Sequence, residues 1–354
     1  MKKILHLFRS SQFTEGYVYS LNKYCINSKH CFIIYGTFFL TAKSEYIREN
    51  NVRYVKYIEY ELKKPGIFEY FNSFDMIIYH GVFEQCVINF FYKNPLLEKK
   101  LFLYFWGGDI PLLETDEDNM VKRLVIKEAG GIITIEDSDY KKIVDIYHPR
   151  GVHAVIKYAD ERQLKHMKED LYPYSRNGKK KVYIQIGNSA TETNRHIEIL
   201  KELEKYKDEA ISIFLPLAYG NPEYARKVVD FAEETFGNKI IVLSEMLSIE
   251  EYIYKLKEID VAIFAMSRQQ ALGNVQILGM NGCKLYVKRK EPLDMYLSNT
   301  LGCHVAYIDE IDEMDFSEFI SLPLNKQLEN REKILYVNEM EYKMNKWNAL
   351  FDEE

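Results

Sequence analysis

A chain of 354 residues with 47% hydrophobic and 28% charged side chains has the balance of a soluble globular protein and the length of two domains. Its formal charge of −6 carries no basic surplus, which argues against a nucleic-acid partner. No stretch approaches the roughly 18 uncharged apolar residues that a membrane-spanning helix needs. The five cysteines (Cys25, Cys31, Cys86, Cys283, Cys303) form no Cys-x-x-Cys pair, which suits free thiols in a reducing cytoplasm and gives no zinc site.

Met1 to Phe8 begins as a secretory leader does, but Arg9, Ser10, Ser11 and Gln12 break the apolar run too soon, so it reads as a first strand. Further strands are predicted at Phe32–Tyr35, Tyr54–Ile58, Met76–Tyr79, Leu101–Phe105, Ile132–Ile135 and Val152–Ile156, with helical patterns or loops between most of them. That alternation predicts a parallel sheet covered by helices on both faces, over residues 1–158. Residues 159–181 are charged, contain Pro173 and Gly178, and read as a linker.

Over 182–324 the alternation restarts, with strands predicted at Val182–Ile186, Ile211–Leu215, Ile240–Leu243, Val261–Ala265, Leu285–Val287 and His304–Ile308. The spacing predicts a helix over Ile249–Ile259, opened by a capping box of Ser248 and Glu251. Residues 325–354 read as a helical tail, one long helix or a broken pair, that either crosses the two domains or finishes the second. Two tandem doubly wound sheets place ligands outside the carboxyl ends of their strands, and a crevice between facing domains is the natural site.

The strand ends carry the candidate chemistry. Ile186 runs into Gly187-Asn188-Ser189, and Thr193 is expected to cap a helix from Asn194, leaving free backbone N–H groups for a phosphate. After Val261–Ala265, Ser267 is expected to cap a helix running to about Asn281 and ended by Gly282, with Arg268, Gln269 and Gln270 in its first turn. A cation is unfavourable there, unless an anion normally sits beside it. Pro216 to Gly220 and Ser244-Glu245 follow two further strands; the glutamate can accept from sugar hydroxyls or cap the next helix.

In the first half, Tyr79-His80-Gly81 and Phe105-Trp106-Gly107-Gly108-Asp109 close two strands, placing a histidine and an aspartate beside glycines that permit close approach. Asp137-Ser138-Asp139 has the form of a metal-binding Asp-x-Asp, but Asp137 reads better as a helix N-cap, and no metal site is expected. The dinucleotide fingerprint Gly-x-Gly-x-x-Gly is absent after either opening strand, which disfavours a nicotinamide dehydrogenase. The 28 tyrosines and 20 phenylalanines often adjoin lysine, as at Phe90–Lys93 and Lys99–Phe102. AT-rich codon usage accounts for much of this, and a membrane-surface patch is the sharper reading.

Trp106-Gly107-Gly108-Asp109, Gly187-Asn188-Ser189 with Asn194 and His196, Pro216 with Tyr219, Leu243-Ser244-Glu245, and Arg268-Gln269-Gln270 with Gly273 follow one another in an order that resembles glycosyltransferase family 56. These are the 4-acetamido-4,6-dideoxygalactosyl transferases, including the TDP-N-acetylfucosamine:lipid II transferases of enterobacterial common antigen synthesis. Tyr79-His80-Gly81 also resembles the family's His-Gly, and the likeness spans roughly residues 75 to 350. Asn274, Gln276 and Pro111 depart from the enterobacterial pattern.

The resemblance implies a GT-B fold of two facing Rossmann-like domains, inversion at the anomeric carbon, no required metal and no other cofactor, and peripheral attachment at the cytoplasmic face of the membrane. It implies a TDP-sugar donor and a polyprenyl-diphosphate-linked acceptor. Carried over by residue, it makes Gly187, Asn188, Ser189, Asn194, His196, Pro216, Tyr219, Ser244, Glu245, Gln269, Gln270 and Gly273 donor-site elements, with Arg268 on the leaving group. Trp106, Gly107 and Gly108 fall on the acceptor side, with Asp109 and then His80 as candidates for the base. A nucleotide-sugar epimerase of the same fold and a non-catalytic nucleotide-sugar-binding module are the alternatives.

Overall fold

The computed structural model of the protein describes residues 1–11, 14–36, 50–111, 116–158, 181–268 and 270–352, together with Glu161 and Lys168. The chain divides into two compact units, Met1–Leu164 with Asn338–Glu354, and Lys165–Val337.

In the first unit the strands are β1 (Lys3–Arg9), β2 (Lys29–Tyr35), β3 (Val52–Val55), β4 (Met76–His80), β5 (Leu101–Tyr104), β6 (Gly131–Thr134) and β7 (Val152–Val155). They form one sheet in the order β3-β2-β1-β4-β5-β6-β7, every pair parallel. The central strands are continuous apolar runs because both faces are covered: all five residues of β4 are buried. The strand predicted at Tyr54–Ile58 ends at Val55, and Ile58 is buried at the start of a short helix.

In the second unit, β8 (Val182–Ile186), β9 (Ile211–Pro216), β10 (Ile240–Leu243), β11 (Val261–Phe264), β12 (Lys284–Val287) and β13 (Ala306–Tyr307) form a sheet in the order β10-β9-β8-β11-β12-β13, again all parallel. All thirteen predicted strands are present. The strand expected at His304–Ile308 shrinks to two residues: the Asn330 carboxamide accepts the His304 N–H at 2.7 Å and donates to its carbonyl at 2.8 Å, taking the groups a ladder would use. The helix Ile249–Leu256 has the expected capping box, Ser248 with Glu251. In both sheets the chain starts centrally, works to one edge and returns across the start, so order reverses between β1 and β4 and between β8 and β11. Crevices at the carboxyl side of such reversals are where ligands bind in this architecture.

The tail is a broken pair, Leu324–Asn338 and Met340–Asp352. The last helix packs into the first unit, where Trp347 is wholly buried, with its ring 5.3 Å from Tyr17 and its indole N–H on the Lys157 carbonyl at 3.3 Å. Among the described residues no disulfide joins the five cysteines. Among the described residues no helix is long and apolar enough to cross a membrane.

Candidate functional site

The β8/β11 reversal gathers side chains from three strand ends. Gly187 takes φ 63°, and a Cβ there would lie 2.7 Å from both Asn194 Oδ1 and His196 Nε2, so a side chain is excluded twice over. Asn194 is fully buried and binds the loop to itself: Oδ1 accepts the Asn188 N–H at 3.2 Å, and Nδ2 donates to the Ser189 carbonyl at 3.0 Å and Thr191 Oγ1 at 2.8 Å. The Ala190 N–H donates to the Tyr219 carbonyl at 2.7 Å, which ties this loop to the one after β9. From there the Tyr219 hydroxyl accepts Asn188 Nδ2 at 2.7 Å. From the loop after β11, Gln270 Nε2 donates to Asn188 Oδ1 at 3.3 Å, while Thr193 Oγ1 donates to Gln270 Oε1 at 3.2 Å. Asn188, Asn194, Tyr219 and Gln270 therefore form one amide-rich cluster.

Three expectations are corrected here. The amides of Gly187 and Asn188 are already engaged, by the Ile263 carbonyl at 2.9 Å and by Asn194, because the loop is closed by a carboxamide rather than left open. Thr193 caps nothing: Glu192–Asn194 is a 3-10 turn, Arg195 swings to φ 54°, and the helix begins at His196. Ser267 likewise does not cap. The helix is Leu272–Met280, entered through Ala271 at φ 61°, so Arg268 and Gln270 lie in the preceding loop and not in a first turn. Gly282 does take the left-handed conformation expected of it, at φ 77°.

Arg268 is exposed, and its charge acts on the neighbouring Tyr219 hydroxyl, whose pKa burial raises. Gln269 lies outside the described residues. Gly273 is in the first turn of its helix, where nothing within 4 Å would obstruct a Cβ, so no local packing demands glycine. Pro216 ends β9 and is buried in register with Leu243. His196 is buried behind Gly187 with Nδ1 3.2 Å from the Tyr224 hydroxyl, and burial pushes its pKa down to about 4. Ser244 and Glu245 are exposed after the edge strand β10, and no hydrogen bond or ion pair joins them to the cluster among the described residues.

Gln185 and Tyr252 escaped sequence reasoning, and Asn274 was noticed only as a departure from the family pattern. Gln185 is wholly buried within β8, donating to the Gly187 carbonyl at 2.8 Å and to Asn274 Oδ1 at 3.4 Å, while the Tyr252 hydroxyl donates to the same Oδ1 at 2.5 Å. A glutamine inside an apolar strand was the available signal. Gln276, the other departure in that helix, donates to the Tyr296 hydroxyl at 3.1 Å in the core. Beyond β11, a cavity of about 390 Å³ is lined by Arg195, Lys288 and Arg289 and by Glu198, Glu202, Asp309 and Asp312. Its cations are paired with Glu198, Glu291 and Asp309, so it presents balanced charge rather than a free anion site.

In the first unit, Asp109 is buried and spans two strand-end loops: Oδ2 accepts the Val82 N–H at 2.7 Å and Oδ1 the Trp106 N–H at 2.8 Å. Burial pushes its pKa up to about 6, against the opposing pull of those amides and of Lys122. Lys122 Nζ donates to the carbonyls of Asp109 and Pro111, at 2.7 and 3.1 Å, which gives the unexpected Pro111 a role as an acceptor lacking only an N–H. Gly107 takes φ 88° and Gly108 is exposed. His80 is corrected as a base: the ring is wholly buried, with Nε2 on His6 at 3.1 Å and Nδ1 on the Tyr158 hydroxyl at 2.9 Å, so neither nitrogen can reach a substrate. Asp137 is the first helical residue after Glu136, not the N-cap. Among the described residues no three His, Cys, Asp or Glu side chains are grouped to hold a metal ion.

A family model described as 4-alpha-L-fucosyltransferase, glycosyl transferase group 56, matches residues 72–351. The chain belongs to this family. Its match begins just before β4, so β1 to β3 lie outside it. Among solved structures, a UDP-forming α,α-trehalose-phosphate synthase from Burkholderia xenovorans is similar at TM-score 0.67 and 10% identity, over 99% of this chain and 97% of that one. The lipopolysaccharide outer core galactosyltransferase WaaB is similar at TM-score 0.65 and 11% identity, over 99% of each chain. A glycosyltransferase from Rickettsia africae matches at TM-score 0.65 and 11% identity, over 99% and 97%. At these identities the likeness is one of fold, and the fold is GT-B. The protein is a glycosyltransferase of group 56, an enzyme that takes a nucleotide-sugar donor and an acceptor.

Proposed function

We propose that this group 56 enzyme transfers a deoxyamino sugar of the 4-acetamido-4,6-dideoxy-galactose type from a TDP-sugar to a polyprenyl-diphosphate-linked saccharide. The anomeric configuration inverts and no metal is required, as in the TDP-N-acetylfucosamine:lipid II step of enterobacterial common antigen synthesis. The observation that carries the reading is the convergence of Asn188, Tyr219 and Gln270 at the β8/β11 reversal, on motifs arranged in the order of the family. Amide and phenol groups there suit the ribose, base and sugar hydroxyls of the donor, and Arg268 supplies positive charge as the diphosphate departs.

On the acceptor side Asp109 is the proposed base. The Val82 and Trp106 amides each fix one of its oxygens, and a pKa raised to about 6 suits proton removal near neutrality. The acceptor oxygen, freed of its proton, attacks the anomeric carbon opposite the leaving diphosphate. Peripheral membrane contact is supported by the exposed Tyr92 and Leu96 with Lys93, Lys99 and Lys100 along Gln85–Lys100.

The test supplies TDP-sugar and polyprenyl-diphosphate-linked saccharide in anionic vesicles, with a chelator present. The expected product is an inverted glycoside, with the protein floating on the vesicles. Donor consumed without acceptor product favours an epimerase-like reaction, and TDP binding without turnover a nucleotide-sugar-binding role; either outcome removes the donor, acceptor and reaction proposed here.

A further inference from the structure

Three histidines in the first unit are joined end to end. His30 Nε2 lies 3.2 Å from the Cys25 carbonyl, His30 Nδ1 lies 3.0 Å from His6 Nε2, and His6 Nδ1 lies 3.1 Å from His80 Nε2. His80 Nδ1 meets the Tyr158 hydroxyl at 2.9 Å, and that hydroxyl meets Trp106 Nε1 at 2.6 Å. His6 and His80 have no exposed surface, and His30 has almost none.

The carbonyl end of this chain fixes the imidazole protons in it. A backbone carbonyl only accepts, so His30 carries its hydrogen on Nε2 and accepts on Nδ1. His6 must then donate from Nε2 and accept on Nδ1, and His80 must do the same. An indole N–H only donates, so the Tyr158 oxygen accepts from Trp106, and its own hydrogen is left to serve the His80 Nδ1 that the assignment from His30 makes an acceptor. The Trp106 end is compatible with the assignment made from the His30 end. Aromatic packing excludes water along the way: Phe8 stacks on His80 at 4.2 Å, Phe32 on His6 at 4.7 Å and Tyr104 on Tyr158 at 4.7 Å. Burial correspondingly holds all three imidazoles below their ordinary pKa.

The free end of the chain is the indole. Trp106 is partly buried and meets Phe83, 42% exposed, at 6.2 Å between centroids and 73° between planes. Glycines form the floor of this corner. A Cβ at Gly81 would lie 3.1 Å from the Phe83 ring and 3.5 Å from Trp106 Cδ2, and one at Gly108 would lie 3.9 Å from Phe83. One apolar face of a pyranose ring can stack on either wall while its edge C–H groups meet the other. Asp109, whose carboxylate accepts from Val82 and Trp106, belongs to the same two loops.

We propose that Phe83 and Trp106 form a two-walled stacking platform for the sugar ring of the acceptor, and that Tyr158, held by the chain through His80, His6 and His30, is the positioning residue that fixes the indole wall. The proposal rests on reading the first unit as the acceptor-holding one. It is tested by titrating phenyl and methyl N-acetylhexosaminides into the full chain while reading tryptophan fluorescence, with Trp106→Phe assigning the signal. Wild type should give a saturable response that Trp106→Phe lacks. Phe83→Ala, a surface change, should bind about tenfold more weakly, the scale of one aromatic contact. Tyr158→Phe should show red-shifted Trp106 emission before any sugar is added, and a raised acceptor KM at unchanged donor KM. Unaltered affinity in Phe83→Ala, or no saturable response in wild type, overturns the platform. Unshifted emission in Tyr158→Phe overturns the positioning role. TDP-induced thermal stabilisation, followed in parallel, should survive in all three variants; its absence from wild type with pyranoside binding intact sinks the functional reading and leaves the platform standing.

Discussion

Asp109, the proposed base, also has a structural part to play. Its carboxylate joins the loops after β4 and β5 through two backbone amides, yet burial leaves it a far stronger base than an exposed aspartate. Asp109→Asn keeps the size and removes the proton acceptor, so turnover should fall about 10²–10⁴-fold in protein that still melts cooperatively. The same variant reads the electrostatics. A carboxyl with a pKa of about 6 when folded, against an ordinary value of 3.8, binds its proton longer in the folded state. That contribution is fully present below about pH 4 and is lost as pH rises through 6. Wild type should therefore lose up to about 3 kcal/mol relative to Asp109→Asn between pH 4 and pH 7, measured by denaturant unfolding. A flat difference would show that Asp109 titrates normally and is poorly suited to act as a base.

At the scale of elements, the loop between β8 and its helix is tightly specified. Gly187 has no space for a Cβ, and the buried Asn194 satisfies the Asn188 N–H. Gly187→Ala should lower unfolding free energy by about 1–2 kcal/mol from the left-handed backbone alone, with the steric conflict added. Asn194→Ala should cost about 1–3 kcal/mol by orphaning a buried amide. Both should weaken donor binding in a calorimetric titration; unchanged melting temperatures would mean that the loop is not built this way. The strands were legible because central parallel strands, covered on both faces, are plain apolar runs such as Ile184–Ile186 around one glutamine. The helix starts were not, because Arg195 and Ala271 take left-handed conformations that no local residue type announces, which makes Thr193 and Ser267 look like caps. The amide cluster was legible as motifs but not as a network: Asn188 and Gln270 are far apart in the chain and meet only because β8 and β11 are neighbours. His6, His30 and His80 were hidden in the same way. Adjacent parallel strands β2, β1 and β4 set them side by side, and the signal was an imidazole within each apolar run.

At the scale of the molecule, two sheets share the same reversal of strand order, and the proposed function gives the acceptor to the first and the donor to the second. The first unit is completed by the last helix of the chain, whose Trp347 and Phe351 pack on Tyr17, His6 and His30. It therefore reaches its final packing only after the second unit has been synthesised. The second unit carries the claim on which the functional reading depends, that a TDP-sugar is held where β8 and β11 part. Thermal melting with TDP, UDP, GDP and CMP, in wild type and in Gln270→Ala, tests it most directly. TDP at one hundred times its Kd should stabilise wild type by about 2.7 kcal/mol and raise Tm by a few degrees, more than the other nucleotides, with a clearly smaller shift in Gln270→Ala. Equal shifts in both proteins, or none with any nucleotide, would contradict the account.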